Sequence, residues 1–370
     1  MEPVRLATIG TSAITERLLD AASGLPQVCY VGTLSRNAGH AREFTLAHGG
    51  ATPFSSLAEL CASPDAEAVY VASPNAAHLE QALVCVRAGK HVLVEKPLCP
   101  RADDARLLFD EAERAGVVAL EAMRPLHDPV WGTILATLPR LGRLRRATLR
   151  FGKYSSRYDE LLAGRHTNIF DARMATGALM DLGIYCVEPM VAAFGAPDVV
   201  VGAAALADEA ARELTGGAID VAGSALCTYG DEAAHPGLVV ELAYSKVTQD
   251  LLPCQMEGER GTLVIDAVST PGHVRLHTRG HAVRAIEAAA GSVGDTDEEL
   301  PVAPCENTMV HELADFALLV RGRQVRTVWG TELSAPEACA AFRDVTLASL
   351  RVTDDLRRQA GIVFPTEAGA

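Results

Sequence analysis

The first 124 residues alternate short apolar runs with stretches of helical pattern, and that rhythm leaves the chain very few folds. Apolar runs at 4–9, 27–34, 68–72, 92–94 and 117–120 are bounded by turn residues, as buried parallel strands are. Between them, 16–23, 38–48, 57–61, 78–88 and 101–115 carry helical spacing, with Gly89 and Gly116 placed as helix stops. Strand, helix and strand repeated with short connections wind into one open, parallel sheet with helices on both faces. Ligands of such sheets bind outside the carboxyl ends of the strands. The five strand ends bring Gly10, Ser35, Ser73, Lys96 and Glu121 to one edge.

The first strand runs into Gly10-Thr11-Ser12-Ala13-Ile14-Thr15 and then a helix, a worn form of G-x-G-x-x-G. Gly10 keeps the glycine of the tight turn. Ser12 is small enough for a pyrophosphate to approach the helix N-terminus. Alone, this pattern serves a plain strand–helix turn equally well. About 20 residues on, NAD-binding sheets carry an acid for the ribose 2′-hydroxyl. Here the chain has Ser35-Arg36-Asn37. An arginine can grip a 2′-phosphate in two places, which favours NADP over NAD. The competing reading is an exposed arginine that opens the next helix. The third strand ends in Ser73-Pro74-Asn75, with His78 close behind. The fourth ends in Glu95-Lys96-Pro97, where the proline cannot continue the ladder. Lys96 thus ends an interior strand, where an ammonium can hydrogen-bond a substrate oxygen. A surface lysine in a turn is the plain alternative. The fifth strand runs into Glu121-Ala122-Met123-Arg124-Pro125.

The pattern changes after Arg124, which divides the 370 residues into a dinucleotide-binding domain (1–124) and a substrate and oligomerisation domain (125–370). Segments 146–151, 199–205, 221–228, 239–244 and 261–265 read as strands of a large, mostly antiparallel open sheet. Helices are expected at 131–138, 309–320 and 335–351, with the chain trailing off from Asp354. Residues 280–300 read as an acidic surface excursion, and the polar segment 153–168 as a substrate loop or a solvated one. The fold class is α/β, a doubly wound parallel sheet followed by an α+β domain. Gly177-Ala178-Leu179-Met180-Asp181-Leu182-Gly183-Ile184-Tyr185 reads as a helix with Asp181 and Tyr185 on one face. A phenol there can pass a proton to a substrate hydroxyl while the carboxylate holds a second one. A helix whose tyrosine merely closes the core is equally open. His311 and Glu312 read as structural.

A formal charge of −14 argues against nucleic acid or an anionic membrane as partner. No apolar run approaches the roughly 18 residues of a membrane span. The nine cysteines show neither C-x-x-C nor zinc spacing, which points to reduced thiols in the cytoplasm and to no metal site. Met1-Glu2-Pro3 does not open a signal peptide.

Taken together, the glycine turn, Ser35-Arg36, Ser73-Pro74-Asn75 with His78, and Gly89-Lys90-His91 leading to Glu95-Lys96-Pro97 resemble the Gfo/Idh/MocA (glucose-fructose oxidoreductase / inositol dehydrogenase) family. The resemblance implies an NADP(H)-dependent oxidoreductase acting on a sugar, polyol or dihydrodiol, with Lys96, Asp181 and Tyr185 as the catalytic set. It places Gly10, Thr11, Ser12, Ala13, Ile14, Ser35, Arg36, Ser73, Pro74, Asn75, His78, Glu95, Lys96, Glu121 and Met123 around the cofactor. It also implies a cis Lys96–Pro97 bond and a homodimer or homotetramer through the second sheet. Many members carry histidine where this chain has Tyr185; tyrosine there is similar to the dihydrodiol dehydrogenase and glucose-fructose oxidoreductase branches. Two other readings stay open: a non-catalytic NADP-binding sensor or assembly protein, and an enzyme that retains its cofactor while cycling between two sugars.

Overall fold

Residues 2–280 and 294–367 are described by a computed structural model. The five apolar runs form β1 (Val4–Ile9), β2 (Val28–Leu34), β3 (Ala68–Val71), β4 (His91–Glu95) and β5 (Ala119–Ala122). All pair in parallel, in the order β2-β1-β3-β4-β5. Between them run α1 (Ala13–Ser23), α2 (Ala38–Ala47), α3 (Leu57–Ala62), α4 (Asn75–Arg87) and α5 (Ala102–Ala115). Alternate strand residues feed two separate cores. Leu6, Tyr70, Leu93 and Leu120 enter one, and Ala7, Val69, Val92 and Ala119 enter the other. With both faces covered, a strand needs apolar residues at every position, hence the unbroken runs in the sequence. Strand order reverses between β1 and β3, so their carboxyl ends flank the crevice where ligands of such sheets sit.

The second sheet contains β6 (Leu144–Gly152), β7 (Val199–Leu206), β8 (Asp220–Thr228), β9 (Val239–Ser245), β10 (Cys254–Gly258), β11 (Gly261–Ile265), β12 (Val274–Thr278) and β13 (Thr296–Glu299). The order is β13-β12-β11-β10-β6-β9-β8-β7, and all pairs are antiparallel except β6 with β9. β13 lies in the stretch expected to be a surface excursion. All four of its residues are exposed, so it has no apolar alternation to read; it is held instead by pairing Glu299 and Asp297 opposite Arg275 and His277. Residues 281–293 of that stretch lie outside the described residues.

The remaining helices are α6 (Pro129–Thr137), α7 (Ser156–Leu162), α8 (Ile184–Phe194), α9 (Arg212–Thr215), α10 (Met309–Val320) and α11 (Ala335–Gln359). α7 occupies the expected loop at 153–168. α11 continues past Asp354, where the polar sequence suggests an end. Its last turns stay helical because Val352 and Leu356 are buried, and Arg357 donates to Asp354 (2.7 Å) and to the Pro100 carbonyl (3.1 Å). α11 packs on α5 and β5 of the first sheet and on α8 and β7 of the second half, and α10 packs on α1. Segment 172–194 is long and apolar enough to cross a membrane, but 83% of that window is buried within the protein, so its apolarity serves the core.

Candidate active site

β4 delivers Lys96 to the sheet edge, and the Lys96–Pro97 bond is cis, as the resemblance implied. The turn is held from behind. Tyr70 donates to Glu95 Oε1, and the Lys96 backbone N–H donates to Glu95 Oε2 (3.2 Å). Burial pushes the Glu95 pKa up, against the pull of Lys96. His78 is fully buried rather than lining the cleft. Its Nδ1 lies 3.1 Å from the Pro97 carbonyl and its Nε2 2.8 Å from the Ser73 carbonyl. It therefore ties the loop after β3 to the loop after β4, and burial lowers its pKa. The Lys96 ammonium reaches across to Asp181, 2.8 Å from Oδ1 and 2.9 Å from the backbone carbonyl. Burial opposes its charge, but Asp181, Tyr185 and Glu95 outweigh that and hold its pKa above the usual lysine value.

Asp181 sits in one π-helical turn, Leu179–Gly183, that runs directly into α8. Such turns carry an extra residue and recur at functional sites. Gly177 starts the segment at φ +133°, where a Cβ would lie 2.2 Å from Asp220 Oδ1. Asp220 Oδ2 in turn accepts from the Leu179 N–H (2.6 Å). The helix face expected to be shared by Asp181 and Tyr185 thus appears in widened form, and both residues meet Lys96. The Lys96 Nζ lies 4.9 Å from the Tyr185 ring centre, and Phe151 packs edge-on to the same ring at 5.7 Å.

Two residues without an expected role complete this cluster. Arg124 Nη2 donates to the Tyr185 hydroxyl oxygen (3.1 Å), and Lys246 is ion-paired with Asp181 Oδ2. Burial would raise the Asp181 carboxyl, but Lys96 and Lys246 together hold it well below the usual range. Burial lowers the Lys246 pKa in spite of Asp181. Both had a signal in the sequence. Arg124 stands just past β5, at the same edge as Lys96. Lys246 extends the buried alternation Val240, Leu242, Tyr244 of β9, a lysine where an apolar residue is due.

Along the same sheet edge, Gly10 has φ +109°, and a Cβ there would lie 2.6 Å from the Ala72 carbonyl oxygen. The β1 turn can pass the end of β3 this closely only without a side chain. Ser12, at the N-cap of α1, makes no capping bond. Ser12 and Ala13 are exposed and Thr11 and Ile14 half-buried, so the first amides of α1 face outward, as a pyrophosphate requires. The Ser73 hydroxyl is buried without a hydrogen-bond partner among the described residues, an orphan that a ligand can satisfy. Arg36 is exposed, and among the described residues no ion pair restrains it. Ser35 beside it accepts from the Asn37 N–H (3.4 Å). These features fit a dinucleotide with a 2′-phosphate.

Besides His78, three expected cofactor contacts turn elsewhere. The Asn75 amide donates to the Ala175 carbonyl (2.9 Å), joining the loop after β3 to the segment before the π turn. Glu121 accepts from the Leu98 N–H and from the Thr346 hydroxyl, both at 2.7 Å, and Met123 is fully buried. β5 continues to Ala122, so Glu121 lies inside a covered strand rather than beyond its end. Pro74 remains exposed at the rim.

A family model for Gfo/Idh/MocA, described as an oxidoreductase family with an NAD-binding Rossmann fold, matches residues 4–122. The scyllo-inositol 2-dehydrogenase (NADP(+)) IolU of Bacillus subtilis is 31% identical over 98% of this chain and 99% of its own length. The trans-1,2-dihydrobenzene-1,2-diol dehydrogenase of Macaca fuscata fuscata is 32% identical over 45% of this chain and 48% of its own. KijD10, a 3-ketoreductase from Actinomadura kijaniata crystallised with NADP and TDP-benzene, shares the fold, with a TM-score of 0.77, 24% identity, and coverage of 97% of this chain and 98% of its own. A glycine turn that admits a dinucleotide, a lysine at the end of β4 and likeness to IolU along nearly the whole chain lead to one conclusion: the protein belongs to the Gfo/Idh/MocA family of oxidoreductases.

Proposed function

We propose that the protein is an NADP(H)-dependent dehydrogenase of cyclic polyols or sugars, exchanging hydride with a carbon that is alternately carbinol and carbonyl. The observation that carries this reading is the convergence of Lys96 from the first sheet with Tyr185 and Asp181 from α8 and the π turn before it. When bound, the nicotinamide supplies or accepts the hydride, and the chain supplies position and charge. The Tyr185 oxygen accepts from Arg124, which leaves its own hydrogen for the substrate oxygen during reduction. In the reverse direction that oxygen takes the proton. An ammonium has three N–H bonds, and Lys96 places two on Asp181. The third remains for the reacting oxygen. Asp181, expected to orient a second hydroxyl, first serves to hold two ammonium groups.

Arg36 would take the 2′-phosphate and the α1 N-terminus the pyrophosphate. The name of IolU, with its NADP(+) and its inositol, supports both the cofactor and the polyol class. Titration with NADPH and NADH tests the first: NADPH should bind about tenfold tighter or better, as a charge-assisted contact allows, and equal affinities remove the role of Arg36. Reduced-nicotinamide absorbance with inositols, sugars and trans-dihydrodiols tests the second. Binding without turnover across that panel favours the sensor reading. Cofactor retained through purification favours cycling between two sugars.

An assembly through the second sheet fits its open side. Val199, Val201 and Leu226 are 52%, 60% and 48% exposed, and Val201 lies opposite Leu226. Light scattering should find a dimer or tetramer that Val201→Asp dissociates. Nine free cysteines, including Cys61 and Cys85 unbridged at 3.8 Å, suit the reducing cytoplasm.

A further inference from the structure

Asp181 is held by two lysines from different parts of the fold, and only one of them ends a strand of the first sheet. Lys246 follows β9 and is buried, with its backbone N–H donated to the Val221 carbonyl (2.9 Å). Its ammonium binds Oδ2 of Asp181, while Lys96 binds Oδ1 at 2.8 Å. An aspartate carboxylate rotates in a broad, two-fold torsional well, so a single contact does not fix its plane. Two cations on opposite oxygens do. The π turn anchors the backbone through the Asp181 N–H to the Gly177 carbonyl (3.1 Å), and Lys246 anchors the other end of the side chain.

We propose that Lys246 is a positioning residue: it pins the free oxygen of Asp181, so that the other oxygen presents the Lys96 ammonium to the reacting oxygen. This rests on the hydride-transfer reading above. The pairing also has an electrostatic effect. Two ammonium groups on one carboxylate leave a net positive charge on this wall, which favours negative charge developing on the substrate oxygen. A lysine buried only to neutralise Asp181 would be redundant, because Lys96 already does so. The other titratable groups facing the trio are Glu95 on β4, His78 on α4, Arg124 beyond β5, Tyr185 and Glu188 on α8, and Asp220 on β8. None of them is hydrogen-bonded to the Asp181 carboxylate among the described residues.

The test uses Lys246→Met, Lys246→Arg and Lys246→Ala in the full chain. With Lys246→Met, kcat should fall on the order of 10²-fold, the loss that accompanies a small misplacement of a reacting group. NADPH affinity should be unchanged. Propylammonium should restore turnover to Lys246→Ala, and Lys246→Arg should retain more activity than Met. A second readout needs no turnover. In protein carrying 13Cγ-aspartate, with the Asp181 signal assigned through Asp181→Asn, the carboxyl midpoint should rise by about one pH unit or more in Lys246→Met. The sign follows because one of the two cations that hold it low is gone. Wild-type kcat in Lys246→Met overturns the proposal. So does a slow variant with an unmoved Asp181 midpoint and no rescue by propylammonium, since that is a packing role alone. A raised midpoint in a protein that turns over no polyol or sugar upholds the clamp and sinks the hydride-transfer reading instead.

Discussion

The two walls of the cleft are built on opposite plans. On the wall formed by the ends of β1, β2 and β3, the ligand-facing features are a glycine, open helix amides, the Ser73 hydroxyl and an arginine with no ion-pair partner among the described residues. On the other, Lys96, Asp181, Lys246, Tyr185 and Arg124 are linked through one another. The first wall recognises its ligand by shape and backbone, so its sequence can drift from G-x-G-x-x-G to Gly10, Ser12 and Thr15 without loss of form. The second is a closed set of charges in which each member fixes the next. Substitutions on the first wall should therefore change affinity and leave chemistry alone, and those on the second should do the reverse.

Lys96→Ala tests this separation most severely. Removing the ammonium takes away the donor to the reacting oxygen and the partner of Asp181 at one stroke. Turnover should fall by about 10²–10⁴-fold, with NADPH affinity kept. A parallel loss of affinity would mean that the walls do not act separately.

Gly177→Ala and Gly10→Ala sharpen the contrast, because both glycines have positive φ and neither tolerates a Cβ. At Gly177 the added carbon meets the Asp220 carboxylate, which caps the Leu179 N–H at the start of the π turn. The expected result is a lower Tm, from a loss of about 1–3 kcal/mol, together with reduced kcat. At Gly10 the added carbon meets the Ala72 backbone just past β3, and the expected result is weaker NADPH binding. Equal effects on kcat from both would contradict the division of labour.

Arg36→Ala should produce a smaller and cleaner change. Loss of a charge-assisted contact to the 2′-phosphate predicts about a 10- to 100-fold weaker NADPH affinity, little change with NADH, and normal kcat at saturation. A titration of both cofactors decides it.

The same contrast explains what could be read from the chain. Gly10, Arg36 and Glu95-Lys96-Pro97 are legible because strand ends and turns are local, and a short stretch contains all the constraint. Asp181 and Tyr185 are legible as a pair four residues apart, but not the π turn that carries Asp181 and leads into α8, which depends on Asp220 across the sheet. Lys246 and Arg124 stand out locally, but they find their partners only when the end of β9 meets the π turn and the turn after β5 meets α8, contacts that no local pattern encodes. Glu121 is misplaced by a difference of two residues in the end of β5, enough to move it from the cleft into the core. β13 escapes because its exposed residues carry no periodicity.

Asp220→Asn asks how much fixed negative charge lies behind the second wall. Burial pushes the Asp220 pKa from 3.8 to about 6, against the Leu179 N–H that favours the anion. The folded state therefore holds this proton more tightly than the unfolded chain does. Stability from the protonated group is fully present below its unfolded value and is lost as pH rises through about 6. Asparagine keeps an oxygen for the Leu179 N–H and never ionises. The variant should match wild type in acid and be more stable near neutrality, by about 1–3 kcal/mol, with a flatter Tm-against-pH curve between those limits. Turnover should change little, since Lys96 and Lys246 both remain on Asp181. If the two Tm curves run parallel, the Asp220 pKa is the same in the folded and unfolded chain, and the wall holds a second buried anion against its cations already in weak acid rather than only above about pH 6. The net positive charge of the Lys96–Asp181–Lys246 trio would then be offset from behind across the whole range and not only above about pH 6, leaving position rather than charge as the larger contribution of Lys246 at every pH.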